Sequence, residues 1–304
     1  MGETLNDHRI AYLHEAVRSG SVRAAADALD IAPSAVSRQI SLLEQELAVP
    51  LIERHKRGVS PTEAGVLLLE YYREQRSHQS DVLAKLQEIR GLKRGSINII
   101  MGEGFISDMV SGPIKQFCKK YPEISLVLDL AGTNEVVSAV AADEAEIGLV
   151  FNPPVEAKIV SRAVARQPMY AIVGRQFPLL GKVESVTLRE LAAYPMALTH
   201  LAYGTRQLVE AATLIEKTRL TPTITTNSIA ILKHFVKSEL GFTLLPLFAV
   251  TTELAARELY AIPVRNTLLT RSEAHLITRT GRQLSTAANR LLQHLSTRMK
   301  AFQD

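Results

Sequence analysis

Two patterns of hydrophobic residues divide the chain into a helical front and a longer part in which strands and helices alternate. In the first 61 residues, apolar positions recur every three or four residues, which predicts short amphipathic helices. From Ser96 onward, apolar runs such as SINIIM, LVLDLA and IGLVF alternate with helical segments. That order is typical of parallel sheets flanked by helices. We therefore predict an α/β protein with an all-α N-terminal domain.

The front domain contains a helix with two unlike faces. In the run IAPSAVSRQISLLEQEL, apolar residues repeat at steps of four, three and four, and the other side carries no acid before Glu44. A second helix, VRAAADAL, precedes it after a brief turn, with Ser21 as its N-cap. Two helices joined by a tight turn, with a donor-rich face on the second, predict a helix-turn-helix. An ordinary surface helix is the alternative. The polar face comprises Ser34, Ser37, Arg38 and Ser41.

A basic hairpin is predicted directly after this helix. In LIERHKRGVSPTEAG, two short apolar stretches flank a basic tip and a glycine turn. Lysine and arginine at such a tip would neutralise phosphates beside the groove of DNA. A solvated charged loop is the alternative for this segment. The polar residues concerned are Arg54, Lys56, Arg57 and Ser60.

The stretch SVRAAADALDIAPSAVSRQISLLEQELAVPLIERHKRGVSPTEAG resembles the N-terminal signature of LysR-type transcriptional regulators. The resemblance implies a winged helix-turn-helix that places its recognition helix in the major groove of double-stranded promoter DNA, with RNA polymerase as a further partner. Members often carry Ser or Thr at position 32 and Gln at position 33. Ala32 and Pro33 here lose an N-cap side chain, at about 1 kcal/mol, and an amide that could read adenine. The expected DNA-binding set is Pro33, Ser34, Ser37, Arg38, Ser41, Arg54, Lys56, Arg57 and Ser60.

A long helix is predicted from residue 62 to residue 90, because that stretch contains no proline and no glycine after Gly65. Its apolar positions alternate steps of four and three, which is the spacing of a coiled-coil seam. A second copy of the chain is the natural partner, as the resemblance also implies, in a homodimer or homotetramer. The alternative is a core helix of the following domain. GLKRG would then form a basic hinge. The expected dimerisation residues are Leu68, Tyr72, Val82, Leu86 and Ile89.

The remaining two-thirds of the chain predict two sets of strands and helices. Helical segments fall at residues 108–121, 134–142, 204–216, 228–239 and 282–302. The resemblance implies a two-lobed, periplasmic-binding-protein-like effector domain with a cleft between the lobes. We expect three regions: a DNA-binding domain at 1–61, a linker helix and hinge at 62–94, and an effector-binding domain at 95–304. Lobe I would comprise 95–166 and 270–304, and lobe II would comprise 167–269.

Effector-binding residues are predicted where strands end, because open parallel sheets bind ligands beyond their carboxyl ends and at helix N-termini. Helix N-capping alone is the alternative for Thr133, Asn134 and Ser228. The expected effector-binding set is Glu103, Gly104, Phe105, Ile106, Thr133, Asn134, Thr199, His200, Tyr203, Thr205, Arg206, Asn227 and Ser228.

The charge of Arg206 suggests the class of effector. An arginine in the first turn of a helix opposes the helix dipole, so it is more useful when it faces an anion. A small organic carboxylate is therefore expected, with Tyr203 and Phe105 as aromatic walls. Glu103 argues against a highly charged anion. The alternative is that Arg206 pairs with a surface acid such as Glu210.

Composition narrows the other functional classes. The 304 residues carry a net charge of +4, but residues 1–95 balance thirteen Lys and Arg against thirteen Asp and Glu. DNA binding must therefore rest on local placement of charge. No apolar run reaches the roughly 20 residues of a membrane span, and the start MGETLNDHRI is not a signal peptide. We expect a cytoplasmic protein with no membrane partner.

Enzymatic function is not expected. The eight histidines are scattered, the lone Cys118 has no partner, and no nucleophile elbow or phosphate-binding loop is present. Gly102 and Gly104 begin a dinucleotide-like pattern, but Ser107 replaces its third glycine. No cofactor or metal is predicted. An enzyme and a secreted solute-binding protein are the two competing classes, and neither accounts for the helix-turn-helix.

Overall fold

The computed structural model describes residues 5–56, 58–89 and 95–303, without the side chains of 80, 81, 84, 85, 87–89 and 111. The chain divides into two compact units, residues 1–82 and residues 83–304. Arg57 of the predicted wing and residues 91–94 of the predicted hinge lie outside the described residues.

The first unit is a winged helix-turn-helix. Its core joins the apolar faces of the first three helices to the start of the fourth, with Ile10, Val36, Ile40 and Leu69 almost fully buried. The fourth helix continues into the second unit. In chain order the elements are α1 (Asp7–Arg18), α2 (Val22–Leu29), α3 (Pro33–Leu47), β1 (Ile52–His55), β2 (Gly58–Pro61) and α4 (Glu63–Ile89).

Local chemistry sets the helix boundaries in this unit. The Ser21 side chain accepts a hydrogen bond from the amide of Ala24 and so caps α2, as its sequence predicts. Asp30 ends that helix in the left-handed conformation, with φ of 54°. α3 has no side-chain cap at Ala32 and begins directly with Pro33, whose ring already fixes a helical φ.

The wing is attached to the helices at both of its strands. The Glu44 carboxylate on α3 accepts the amides of Leu51 at 2.8 Å and Ile52 at 3.3 Å. The Val59 amide donates to the carbonyl of Gly20 at 2.9 Å. Gly58 has φ of 137°, and any Cβ there would overlap that same carbonyl oxygen. The hairpin therefore has a fixed position beside α3.

The second unit contains ten strands and nine complete α-helices within its described residues. The strands are β3 (Gly95–Met101), β4 (Ile124–Leu130), β5 (Ile147–Phe151), β6 (Ile159–Arg166), β7 (Met169–Val173), β8 (Ala197–Thr199), β9 (Ile224–Thr226), β10 (Phe242–Pro246), β11 (Tyr260–Pro263) and β12 (Glu273–Arg279). The α-helices are α5 (Ile106–Met109), α6 (Lys115–Lys120), α7 (Thr133–Ala141), α8 (Leu188–Leu191), α9 (Gly204–Ile215), α10 (Ile229–Lys237), α11 (Thr251–Ala255), α12 (Thr267–Thr270) and α13 (Thr286–Arg298).

Sheet pairing separates two lobes in this unit. Lobe I is built on a five-stranded sheet of order β4-β3-β5-β12-β6, in which β12 runs antiparallel to both neighbours. Lobe II is built on the sheets β10-β7-β11 and β8-β9. The chain leaves the first sheet after Arg166 and returns to it at Glu273. Lobe I is therefore built from two segments that are far apart along the chain, and lobe II from the segment between them.

Two helices differ in extent from the bounds that the sequence predicts. The helix expected at 108–121 starts earlier, at Ile106, and is interrupted by a π-helical turn, Val110–Ile114, around Pro113. Proline lacks the N–H that a regular turn would use, so the wider turn accommodates it. The helix expected at 282–302 is shorter, because Ser285 caps it at Thr286 and it ends at Arg298.

Candidate DNA-binding surface and effector cavity

The polar face of α3 points away from the core of its unit. Ser34 and Arg38 are exposed and Ser37 is partly exposed, whereas Val36 and Ile40 on the opposite side are fully buried. Pro33 is exposed and Ser41 partly exposed. The helix therefore presents hydroxyl and guanidinium donors to solvent along one side.

Arg54 of the wing contacts α3. Its Nη2 donates to Ser37 Oγ at 3.2 Å, although both side chains lie at the surface. On the other strand of the hairpin, Ser60 Oγ lies 2.6 Å from His55 Nε2. Lys56 is exposed at the tip. Of the expected wing residues, Arg54 therefore contacts α3, Ser60 contacts the other strand of the hairpin, and Lys56 extends into solvent.

The predicted seam of α4 is corrected at its N-terminal end. Leu68 and Tyr72 are only 8% and 7% exposed, because they pack into the core of their own winged helix. The neighbouring Leu67 and Tyr71 are 70% and 44% exposed instead. Further along, Val82 and Leu86 are exposed as the seam predicts, and the side chain of Ile89 lies outside the described residues.

A cavity of about 450 Å³, its open mouth included, lies between the two lobes. Most of its wall is apolar, formed by aromatic and aliphatic side chains of both lobes. Its polar groups come from residues near helix N-termini. The lining residues are Gly102, Glu103, Gly104, Phe105, Thr133, Val150, Phe151, Tyr203, Gly204, Thr205, Ile229, Leu245, Pro246, Phe248 and Ala249.

The fold brings six of the expected effector-binding residues to this cavity, namely Glu103, Gly104, Phe105, Thr133, Tyr203 and Thr205. The others lie around it. Ile106 packs against the hydrophobic core, His200 is exposed, and Thr199 is buried with its hydroxyl 3.0 Å from that of Thr205. Asn134, Arg206, Asn227 and Ser228 are likewise absent from the wall.

Glu103 joins the two lobes across the cavity. Its carboxylate follows β3 in lobe I and accepts three hydrogen bonds from the start of α10 in lobe II. The donors are the amide of Ile229 at 2.5 Å, the amide of Ala230 at 3.0 Å and the hydroxyl of Ser228 at 3.2 Å. The negative charge of Glu103 also lies at the positive end of the helix dipole, and this placement stabilises the contact.

A second bridge joins lobe I to α9. The Gly204 amide donates to Thr133 Oγ1 at 2.7 Å, and both groups are buried. Gln207 Nε2 lies 3.4 Å from Asn134 Oδ1 in the same region. A Cβ at Gly204 would overlap the carbonyl oxygen of Phe151 and lie 3.0 Å from Thr133 Oγ1. Only glycine lets the start of α9 approach lobe I this closely.

The role expected for Arg206 needs correction. Its Nη2 lies 2.6 Å from Glu210 Oε1 one turn along α9, so the pairing alternative is the observed one. Arg206 does not contribute to the cavity wall. Its Nε and Nη1 are buried and have no hydrogen-bond partner within the described part of the chain. Two of its donors therefore remain unused in this arrangement.

Tyr203 forms one polar corner of the cavity. Its hydroxyl donates to the carbonyl of Asn227 at 3.0 Å. Burial, together with the nearby carboxylates of Glu135 and Glu103, raises the pKa of the Tyr203 phenol. The phenol therefore stays protonated and keeps its role as a hydrogen-bond donor.

The wall from Leu245 to Ala249 was not among the expected residues. This segment comprises the last two residues of β10, whose apolar run FTLLP is evident in the sequence, and the three residues after that strand. The same rule that selected residues after the other strands also selects residues after this one. Phe248 stacks on Phe105 with ring centroids 4.7 Å apart, so it joins the aromatic wall from the opposite lobe.

Comparison with known protein families identifies the architecture. The description "Bacterial regulatory helix-turn-helix protein, lysR family" fits residues 8–66, and "LysR substrate binding domain" fits residues 90–300. The chain belongs to the LysR family of transcriptional regulators. Its relatives are named as regulators, not as enzymes.

Individual relatives match this LysR-family regulator over nearly their full length. The transcriptional activator CmpR of Synechocystis sp. is 25% identical over 296 residues, 95% of this chain and 94% of CmpR. A full-length OxyR variant from Pseudomonas aeruginosa shares the fold with a TM-score of 0.69 at 18% identity, over 99% of this chain and 97% of OxyR. CbnR, solved with its target DNA, gives a TM-score of 0.57 at 18% identity, over 96% and 99%.

These matches confirm a DNA-binding regulator with an effector-binding domain. Among the described residues, no group of three or more His, Cys, Asp or Glu could hold a metal ion. No described helix is both long and apolar enough to span a membrane.

Proposed function

We propose that this regulator changes its affinity for promoter DNA when a small organic acid binds between the two lobes. The observation that carries the proposal is the cavity itself, which combines apolar walls with the first turn of α9. The amide of Thr205, second in that helix and on the cavity wall, has no intrahelical acceptor. Together with the Thr205 hydroxyl it offers donors to an acid group at the positive end of the helix.

The apolar walls define the rest of the ligand. Phe105, Phe248 and Leu245 surround the space next to the start of α9. They would contact a hydrocarbon or aromatic body and provide little for a sugar to hydrogen-bond. Binding that favours one arrangement of the lobes would change the population of DNA-binding states.

On the DNA side, we propose that Ser34, Ser37 and Arg38 meet base edges and that Lys56 meets a phosphate. Their exposure on the outer face of α3 and at the wing tip supports these roles. Arg54 is assigned a positioning role, because its guanidinium holds Ser37. RNA polymerase is a further proposed partner, by membership of the family alone.

Effector binding can be tested with the purified full chain. Hexanoate should raise the melting temperature by mass action and change affinity for promoter DNA, whereas hexylamine and hexanol, of equal length, should do neither. Thr205→Val should weaken the response to hexanoate. Equal stabilisation by the amine or the alcohol would refute the acid assignment. A regulator of the same architecture that needs no effector is the second candidate, supported by the hydrogen bonds that join the two lobes through groups of the chain itself.

For assembly, we propose a homodimer or homotetramer through the exposed apolar side chains of α4. Leu67, Tyr71, Val82 and Leu86 are 44–70% exposed and recur at steps of four or eleven residues. Burial against a second copy would remove this surface from water.

Leu86→Glu places a charge in the proposed contact and should therefore dissociate it. Light scattering of the full chain should show a smaller particle, with circular dichroism unchanged. Arg76→Glu, on another face of α4, is the matched control and should leave the particle size as it was. An unchanged oligomer for Leu86→Glu would return α4 to the alternative of a core helix.

A further inference from the structure

We infer that Glu103 is a built-in anionic ligand of α10, and that it restricts the effector to a molecule with a single acid group. The inference rests on the proposed function, because it specifies which acids the same cavity accepts.

The contacts of Glu103 are those of a bound carboxylate. Both of its oxygens accept, Oε2 from the Ile229 amide and Oε1 from the Ala230 amide and the Ser228 hydroxyl. The two amides are the first and second of a nine-residue helix, so they have no intrahelical acceptor. A free carboxylate bound at this helix would use the same donors. Glu103 differs only in being tethered to the other lobe, 125 or more positions away.

The backbone amides at the two helix N-termini beside the cavity differ in how far their hydrogen bonds are already satisfied. At α10, the side chain of Glu103 brings a full negative charge and occupies the first two amides. At α9, the partner from lobe I is the neutral hydroxyl of Thr133, which takes only the Gly204 amide. A carboxylate therefore binds the first amides of α10 directly, whereas the first amide of α9 binds only a neutral hydroxyl.

This asymmetry limits the charge of the ligand. An acid group near α9 meets a helix start whose amides bind no carboxylate, although the Glu135 and Glu103 side chains lie near its N-cap residue, Tyr203. A second acid group that reached α10 would find its donors occupied and would face Glu103 as a like charge in a largely apolar cavity. A dicarboxylate must therefore displace Glu103 and break the bridge between the lobes, whereas a monocarboxylate need not.

Hexanoate and adipate form a matched pair for the test, because both have six carbons and differ in one carboxylate. We expect wild-type full chain to bind hexanoate at least about tenfold more tightly than adipate. Glu103→Ala should remove most of that difference. Glu190→Ala is the control, since Glu190 also caps a helix through Thr187 but remains within lobe II.

A second measurement follows the bridge itself. Hydrogen exchange of peptides that include residues 229–237 should become about tenfold or more faster in Glu103→Ala. Millimolar acetate should restore protection in that variant, because a free carboxylate can enter the vacated position. Acetate should have no such effect on the wild type or on Glu190→Ala.

The outcomes separate this inference from the proposed function. Unchanged exchange at α10 in Glu103→Ala, or equal binding of adipate and hexanoate by the wild type, would overturn the role of Glu103. If acetate rescues Glu103→Ala while no acid binds the wild type, the acid effector is wrong and Glu103 remains the internal ligand.

Discussion

The DNA-binding surface and the interlobe cavity both present hydrogen-bond donors suited to an anion, but they treat those donors differently. On the winged helix, Ser34, Arg38 and Lys56 extend into solvent. In the cavity, the donors at α10 already bind Glu103, and one donor at α9 already binds Thr133. One region therefore leaves its donors available to an outside anion, and the other supplies part of the anion from its own chain.

The difference follows from the surroundings of each region. Exposed donors remain hydrated, so leaving them without a protein partner costs little. The Gly204 amide is buried between the two lobes and loses its water, so leaving it unpaired would cost about 1–3 kcal/mol. A cavity that must exist without its ligand therefore needs internal acceptors, and a ligand then has to compete with them or use the donors that remain.

The largest expected effect comes from breaking the α9 bridge by steric overlap. In Gly204→Ala the new Cβ would overlap the Phe151 carbonyl, so the backbone must move. We expect a loss of about 3 kcal/mol or more in the free energy of unfolding, measured by urea denaturation. Gly112→Ala is the control, because no atom lies within 4 Å of its new Cβ. Equal stability of the two variants would show that the lobes do not approach as described.

Arg38→Ala sharpens the comparison on the DNA side. Loss of a base-reading guanidinium should cost about 1–3 kcal/mol in binding to the promoter and reduce sequence preference. Titrations with promoter and random duplexes of equal length would measure both the loss of affinity and the loss of sequence preference. Equal losses on the two duplexes would refute a base-reading role for Arg38.

Thr133→Val removes only the acceptor of the Gly204 amide, with little change of volume. The buried amide would then be unpaired, so we expect a loss of about 1–2 kcal/mol in unfolding free energy. Thr243→Val should be neutral or stabilising, since its fully buried hydroxyl has no partner within the described residues. Thermal denaturation compares the two variants, and a similar loss from both would contradict the stated role of the α9 bridge.

The smallest effect is expected for Lys56→Ala. Its exposed ammonium should contribute a single screened phosphate contact, so affinity should fall less than about fivefold on any sequence. The slope of log affinity against log salt should decrease in magnitude by about 0.9. A loss confined to the promoter sequence would instead assign Lys56 to base recognition.

Much of the winged helix was predictable because its signals are local. Ser21, Asp30 and Gly58 mark helix and hairpin ends within a few residues, and the apolar steps of α3 identify its buried face. The seam of α4 shows the limit of such signals. Periodicity identifies an apolar face, but it cannot say that Leu68 and Tyr72 are covered by their own domain.

The cavity was predictable only in part. The rule that ligands bind beyond strand ends located Glu103, Phe105, Thr133 and Tyr203. It applied equally to Phe248, which the sequence analysis did not select. The sequence did not determine where the Arg206 guanidinium lies, because the side chain is long enough to reach either the cavity or Glu210.

The sequence by itself therefore determined the order of elements, the regulator class and the residues at which strands end. The order of elements and the strand ends depend on spacing and capping over a few neighbouring positions, and the regulator class rests on the resemblance of residues 21–65 to LysR-type regulators. Only the tertiary structure decided which strand ends and helix starts lie next to each other. The Glu103 carboxylate reaches Ser228 and Ile229 only after lobe I and lobe II have folded and closed. A hydrogen bond needs donor and acceptor within about 3 Å, and spacing along the chain carries no information on that distance.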